Sequence, residues 1–413
     1  MKRVVWIGFC LGVLAFACSD RQRRNPLDPQ VEDPQSGLLS PLQAIAFDGR
    51  VELRWDFSRF VDIKGYRLYR RLPDRDWEAI TPILDPATTE YTDAAVQNGT
   101  SYEYRLGLLV VGEGERFADG AVQVMPGPEL AWVADRSTGL VWQVSADARN
   151  AHFAQGRFRD LADIALDAQD GSCWVSDRGF AGLYRVDAEG ELASYAAVVE
   201  QPGALAIDAQ ARIGWLADTG RRRVFWFSLV ATDSLELFVV DAGFVDPVAL
   251  AVQSGGCWIA DQIQNRAMFY QLDGTRQVEF RALEAPVVLA AGAEGEAWLL
   301  VDEGRHLLRL DRFGQSLGVD LPFAAAVRLS VDGATGACWV LGERDIAVFS
   351  PEGVMEQHWT DVPGGSGLFF DAVHQRAWVA TGDALWKFTA EGQTIARLDG
   401  FSSIVRIAVN PGR

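Results

Sequence analysis

Seven tryptophans that recur about every 40 residues predict an all-β fold whose last two thirds form a seven-bladed β-propeller. Their spacings are 42, 41, 43, 40, 41 and 39 residues, and the seven are Trp132, Trp174, Trp215, Trp258, Trp298, Trp339 and Trp378. Each lies in a short apolar run, as in Gly214-Trp215-Leu216-Ala217-Asp218. Units of this length with several short strands bury their faces only against neighbouring units. A ring of six blades is the alternative.

The third unit supplies the pattern of four strands, predicted at 204–208, 214–218, 223–227 and 235–239. Its inner strand recurs six times, as Asp163-Ile164-Ala165-Leu166, Val248-Ala249-Leu250-Ala251, Val287-Val288-Leu289-Ala290, Val327-Arg328-Leu329-Ser330, Gly367-Leu368-Phe369-Phe370 and Val405-Arg406-Ile407-Ala408. The series resembles the NHL-type and related YVTN-type propeller repeats. The array begins at a second strand and ends with an inner strand, and unpaired edges are unfavourable. We therefore predict that residues 404–409 pair with residues 130–134 and close the ring.

Residues 39–127 precede the repeats and show short alternating strands at the spacing of a β-sandwich. Val51, Leu53 and Trp55 fall on one face of such a strand, and a later run reads Asn98-Gly99-Thr100-Ser101-Tyr102-Glu103-Tyr104. These segments resemble the second and sixth strands of a fibronectin type III domain. The resemblance implies a role in spacing or in protein contact.

The first 38 residues indicate where the protein resides. Residues 1–17 combine Lys2-Arg3 with a short apolar run, too short to span a membrane and typical of a signal peptide. The run ends in Leu14-Ala15-Phe16-Ala17-Cys18, which resembles the lipobox of bacterial lipoproteins. The resemblance implies acylation of Cys18, with residues 18–38 as a flexible tether and the outer membrane as the destination. An ordinary secretory signal is the alternative.

Composition narrows the classes of partner. The net charge is −18, so the chain lacks the basic footprint that nucleic-acid binding requires. Three cysteines, Cys173, Cys257 and Cys338, each precede a repeat tryptophan in alternate units. Alternate blades lie too far apart for disulfides, and there is no Cys-x-x-Cys pair. These cysteines are predicted to be small buried packing residues.

The candidate ligand-binding residues lie at the turn after the second strand of each early unit. An aspartate follows the tryptophan by three residues in the first four units, at Asp135, Asp177, Asp218 and Asp261. Converging carboxylates could hold a divalent cation, but an aspartate at a strand end also commonly accepts backbone N–H bonds in its own turn. The structural interpretation is favoured over a metal site. Arginines on the same rim could receive an anion or pair with these carboxylates, chiefly Arg178, Arg223 and Arg266.

The sequence offers little for catalysis. It has four histidines, scattered among repeats, and contains no His-Glu-x-x-His, Gly-x-Ser-x-Gly or phosphate-binding glycine loop. We therefore predict no cofactor and a non-catalytic lipoprotein of the cell envelope, anchored by lipid, whose propeller binds a protein or glycan. The alternative is a metal-dependent hydrolase or lyase that acts at the central channel.

Overall fold

The computed structural model describes residues 42–410 except 58–61, 119, 128–129, 150, 154–157, 189, 196–198, 231–234, 242 and 293–294. The predicted signal peptide (1–17), Cys18 and the tether (18–38) therefore lie outside the described residues. Within them, the regular structure is β-strand apart from one 3-10 turn at Asp302–Gly304. The all-β prediction is confirmed.

The first eight strands form two antiparallel sheets that face each other. They are β1 (Leu42–Phe47), β2 (Arg50–Trp55), β3 (Ile63–Arg71), β4 (Glu78–Ala79), β5 (Glu90–Asp93), β6 (Tyr102–Val110), β7 (Gly114–Phe117) and β8 (Val122–Val124). One sheet has the order β1-β2-β5 and the other β4-β3-β6-β7, with β8 paired to β6. Val51, Leu53 and Trp55 point into the core between the sheets. The hydroxyl of Tyr102 accepts the Gln97 N–H at 3.0 Å and ties the start of β6 to the preceding loop. The fibronectin type III assignment itself stays a prediction.

Seven four-stranded antiparallel sheets follow, one for each tryptophan. Blade 1 contains β9 (Leu130–Asp135), β10 (Leu140–Val144) and β11 (Ala151–Phe153), and blade 2 contains β12 (Leu161–Leu166), β13 (Cys173–Asp177), β14 (Gly182–Val186) and β15 (Leu192–Tyr195). Blade 3 contains β16 (Pro202–Asp208), β17 (Ile213–Asp218), β18 (Arg223–Ser228) and β19 (Phe238–Asp241), and blade 4 contains β20 (Pro247–Gln253), β21 (Gly256–Asp261), β22 (Arg266–Gln271) and β23 (Arg276–Arg281). Blade 5 contains β24 (Val288–Ala291), β25 (Glu296–Val301), β26 (His306–Asp311) and β27 (Ser316–Val319). Blade 6 contains β28 (Ala326–Val331), β29 (Cys338–Gly342), β30 (Asp345–Phe349) and β31 (Met355–Thr360), and blade 7 contains β32 (Gly367–Asp371), β33 (Arg376–Ala380), β34 (Ala384–Thr389) and β35 (Thr394–Asp399).

The last strand, β36 (Ile404–Asn410), completes blade 1 by pairing with β9. Its register places Ile407 opposite Val133 and Val409 opposite Ala131. Each inner strand also contacts the inner strands of both neighbouring blades, through to the contact of β36 with β12 and β32. The predicted closure is confirmed, and the ring has seven blades, not six.

The tryptophans fill the seams between blades. All seven are buried, and the most accessible, Trp339, is 3% exposed. Trp174 of blade 2 packs against Phe227 of blade 3 with ring centroids 5.1 Å apart, and Trp339 of blade 6 stacks on Phe370 of blade 7 at 4.1 Å. An indole buries about 150–250 Å², and at about 25 cal/mol per Å² each seam gains roughly 4–6 kcal/mol before entropy is subtracted.

One predicted strand lies further along the chain than expected. The outer strand of blade 3 is Phe238–Asp241 and not 235–239. Its register places Val239 opposite Phe225, whereas Leu235 and Leu237 pack against the apolar core of blades 2 and 3 before the strand begins. Cys173, Cys257 and Cys338 are buried and form no disulfide, as their spacing in alternate units predicts.

Candidate functional site

The four predicted aspartates occupy one equivalent position at the end of the second strand in blades 1 to 4. Asp135, Asp177, Asp218 and Asp261 are all 0% exposed. In each blade, the two residues just before the inner strand donate their backbone N–H groups to this carboxylate. For Asp218 the donors are Glu200 at 2.9 Å and Gln201 at 3.0 Å. The carboxylate therefore links the start of the first strand to the end of the second.

Each carboxylate also accepts a backbone N–H from the turn after the second strand. It comes from Ser137 to Asp135 at 3.1 Å, Gly179 to Asp177 at 2.7 Å, Arg221 to Asp218 at 3.1 Å and Gln264 to Asp261 at 3.3 Å. Such bonds satisfy a buried carboxylate, which agrees with the structural role that the sequence favours over a metal site. Ligand binding by these four residues stays a prediction.

Blades 5 to 7 do not repeat this linkage. The corresponding aspartates are displaced, as the sequence indicates, and their side chains have different partners. Asp302 pairs with Arg305 at 3.1 Å, Asp345 lies 3.2 Å from His358, and Asp383 accepts the Thr381 hydroxyl at 2.9 Å. An aspartate that links the first and second strands is therefore a feature of blades 1 to 4 and not of the whole ring.

The three predicted arginines differ from one another. Arg266 is partly buried and is engaged within blade 4, since it contacts Glu279 at 3.2 Å and donates to the Gly243 carbonyl at 2.6 Å. Arg223 is exposed at the start of β18. Arg178 is exposed and reaches the inner strand of blade 3, where a side chain at Gly203 would begin 3.8 Å from its Nη2.

Arg178 also acts on a carboxyl group two blades away. Burial raises the pKa of Asp246, the Asp261 charge adds to the rise, and Arg178 opposes it. Asp246 lies just before the inner strand of blade 4, so blade 3 separates the two residues within the ring. The two charges therefore interact past blade 3, on the rim where the inner strands begin, which we call the channel mouth.

Below this mouth, charged side chains occupy one level of the inner strands. Asp163, Arg328 and Arg406 each pair with the residue two positions after the blade tryptophan, namely Ser176, Leu341 and Ala134. They lie in blades 2, 6 and 1. A β-bulge directly precedes each of them, and bulges are known to redirect side chains beside functional sites. We name these three residues the channel layer.

The contacts of the channel layer cross blade boundaries. The Nε of Arg406 donates to Oδ1 of Asp163 at 2.8 Å. Oδ1 also accepts the Ile164 N–H at 3.0 Å, and Oδ2 accepts the Leu205 N–H of blade 3 at 3.1 Å. Asp163 is thus held by its own strand, by the next blade and by the closing strand.

Arg328 faces this pair from the other side of the channel. Burial lowers its pKa to about 10, the positive charge of Arg406 lowers it too, and Asp163 opposes the shift. Blade 6 is next to neither blade 1 nor blade 2, so these interactions run across the channel. Arg328 donates from Nη1 to the Val327 carbonyl at 2.7 Å. Its buried Nε has no hydrogen-bond partner among the described residues.

Two other places could hold a ligand. Glu284 before the inner strand of blade 5, Asp302 in the turn after its second strand and His306 at the start of its third strand come together, with potential ligand atoms within 4.8 Å of one another. They adjoin a groove of about 460 Å³, but Arg305 compensates part of their charge through Asp302. A cavity of about 590 Å³ also separates the sandwich from blades 1 and 7, with the buried Lys387 in its wall.

Sequence reasoning did not find the channel layer. Its signal was present as charged residues that interrupt otherwise apolar inner strands. The sequence repeats align Asp163 with Val327 and Val405, whereas the strand register aligns it with Arg328 and Arg406. Asp163 and Arg328 each precede their blade tryptophan by 11 residues, so alignment on the tryptophans brings them to one position.

Comparison with known proteins supports the architecture. No protein-family model matches the chain, and no curated protein matches it. Among solved structures, it is similar to a protein of unknown function from Desulfotomaculum acetoxidans DSM 771, with TM-score 0.56 and 13% identity over 68% of this chain and 98% of that one. A protein from Lactobacillus plantarum gives TM-score 0.54 and 12% identity over 68% and 98%. Streptogramin B lyase gives TM-score 0.50 and 13% identity over 58% and 82%.

The fold and these similarities define the chain as a β-propeller protein. At such low identity the similarity extends to the fold alone. Within the part of the chain that the structure describes, we find no helix of the length and apolarity needed to cross a membrane.

Proposed function

We propose that this protein is an envelope-anchored lipoprotein whose propeller binds a protein or glycan partner at the channel face, without catalysis. The observation that supports binding is the channel layer, in which charged groups from blades 1, 2 and 6 face one another. Ligand sites are concave and carry a few convergent polar groups. Arg178 and Asp246 extend the charged surface to the mouth.

The anchor is the second part of the proposal. Cys18 would carry the lipid, residues 18–38 would be the tether, and the sandwich would hold the propeller away from the outer membrane. Two or more acyl chains anchor a soluble domain stably. Mass spectrometry of the mature N-terminus tests this, since an acylated Cys18 is expected. A Cys18→Ser variant should leave the membrane fraction, and an unmodified terminus would contradict the anchor.

The binding function is tested by capture from envelope extracts with the full-length protein in detergent. The wild type should retain a defined partner that in turn captures the protein when it is used as bait. Arg406→Gln should reduce that capture about tenfold or more, because a partly buried charged contact is lost. The matched control is Arg281→Gln, on the outer strand of blade 4, where the side chain is 75% exposed. Equal capture by all three proteins, or no partner at all, would contradict the proposal.

The alternative, a metal-dependent hydrolase or lyase, draws on the trio Glu284, Asp302 and His306. One structure of similar fold is itself a lyase. The trio lies on blade 5, however, whereas the alternative places the active site at the central channel. Elemental analysis of the purified protein and its melting temperature with Ca²⁺ or Mg²⁺ test this alternative. A stoichiometric metal that is lost in His306→Ala would favour it.

A further inference from the structure

We propose that the channel layer binds the carboxylate of a peptide, held between Arg328 and Arg406. This inference rests on the proposed function and names the chemistry of its ligand. It places the anion in the channel, at the level that Asp163, Arg328 and Arg406 share on the inner strands.

The first support is the charge of the layer. Two guanidinium groups face one carboxylate, so the channel layer has a net charge of +1. The protein as a whole carries a net charge of −18, so a positive layer is not a consequence of composition. Uncompensated charge in a low-dielectric site is unfavourable, and one bound monovalent anion would offset it.

The second support is the unfilled hydrogen-bonding capacity of Arg328. Its Nη1 is engaged by the Val327 carbonyl, while its buried Nε has no partner among the described residues. Arg406, by contrast, uses its Nε on Asp163. Guanidinium groups bind planar carboxylates through two parallel N–H bonds, and Arg328 keeps donor capacity that neither Val327 nor Asp163 uses.

The third support concerns what surrounds the anion. At the same level of the inner strands of blades 4, 5 and 7 lie Ala249, Val288 and Gly367, which pair with the residue two after the tryptophan. Their side chains offer no hydrogen bonds. An acidic sugar would leave several hydroxyl groups without partners there, and unpaired buried polar groups weaken binding. A carboxylate on a peptide end or side chain fits these surroundings better.

Acetate is the simplest probe, used with the full-length protein in detergent. The melting temperature is measured from 0 to 100 mM sodium acetate, with the ionic strength kept constant by sodium chloride. We expect a rise of about 2 °C or more, since a ligand that binds only the folded state stabilises it. N-acetylglycine should act at least as strongly as acetate. No rise, an equal rise in chloride alone, or a larger effect of glucuronate would each overturn the proposal.

Variants locate the effect. Arg328→Gln and Arg406→Gln should each weaken acetate binding about tenfold, and Arg328→Lys should keep part of it because the charge remains. Asp163→Asn should strengthen binding, because Arg406 loses its competing partner. Arg281→Gln is the matched control and should bind as the wild type does. Wild-type acetate binding in both Arg328→Gln and Arg406→Gln would overturn the proposal. Partial binding in Arg328→Lys would show that the glutamine variants do not lose acetate binding merely through misfolding.

The two proposals can fail separately. If acetate binds at the layer but the envelope yields no partner, the carboxylate site stands and the partner proposal fails. If a partner binds equally well to the wild type and to Arg328→Gln, the binding function stands and the carboxylate site is wrong.

Discussion

The propeller contains two sets of charged side chains, and they are organised in opposite ways. The aspartates at the ends of the second strands recur in blades 1 to 4, and each accepts the backbone N–H of the residue two positions before an inner strand. The channel layer occurs in blades 1, 2 and 6, at a level where blades 4, 5 and 7 carry apolar residues or glycine. Its contacts run between blades that are distant in sequence.

This difference distinguishes residues that stabilise each blade from residues that serve the assembled ring. A side chain that recurs with the same bonds serves the fold of each unit, because every unit has the same strand ends to join. Asp163, Arg328 and Arg406 replace residues with which other blades fold well. They are therefore not required by the blade, and we infer that they serve a property of the assembled channel.

The largest expected effect is on the repeated set. Asp218→Ala removes the acceptor for three backbone N–H groups, from Glu200, Gln201 and Arg221. Unsatisfied buried groups are costly, and we expect a loss of about 3 kcal/mol in the free energy of unfolding, measured in urea by tryptophan fluorescence. Acetate binding should be unchanged in the protein that remains folded.

The control for this prediction is Asp399→Ala on the outer strand of blade 7. Its side chain is 60% exposed and pairs with Arg397, so a change within about 0.5 kcal/mol is expected. If Asp218→Ala were equally mild, the buried carboxylates would not hold the blades together. The comparison between the two sets would then collapse.

A smaller effect of opposite sign is expected in the channel layer. Arg328→Met removes a partly buried charge whose Nε has no partner among the described residues, and methionine has a similar length. Replacing such a charge by an apolar group often stabilises a protein, so we expect a gain of about 1 kcal/mol in urea unfolding together with loss of acetate binding. Destabilisation by more than about 1 kcal/mol would instead assign Arg328 a structural role.

The sequence predicted the parts of the fold that depend on one repeat. The tryptophan period predicted the number of blades, and the phase of the array predicted that 404–409 pair with 130–134. The channel layer could not be predicted this way, because Arg406 and Asp163 lie 243 residues apart. The alignment of the inner-strand repeats was also offset by one residue at Asp163, which hid the common level of the three residues. The anchor at Cys18 lies outside the described residues and stays a prediction.

The smallest expected effect tests the mouth of the channel. Arg178 lowers the pKa of Asp246, whereas burial and Asp261 raise it. Arg178→Gln should therefore raise the pKa of Asp246 further, measured by the titration of its carboxyl ¹³C resonance. The control is again Arg281→Gln, which should leave this pKa unchanged.

The same change has a defined consequence for stability against pH. An acid whose pKa is higher in the folded than in the unfolded state stabilises the fold at low pH and loses that contribution as pH rises through the folded pKa. The fall in stability from pH 4 to pH 7 should thus be larger in Arg178→Gln than in the wild type, by a few tenths of a kcal/mol at about this degree of exposure. Adding Asp246→Asn should abolish the difference. An unchanged pKa would show that Arg178 does not lie over the mouth, and the charged surface would then end at the channel layer.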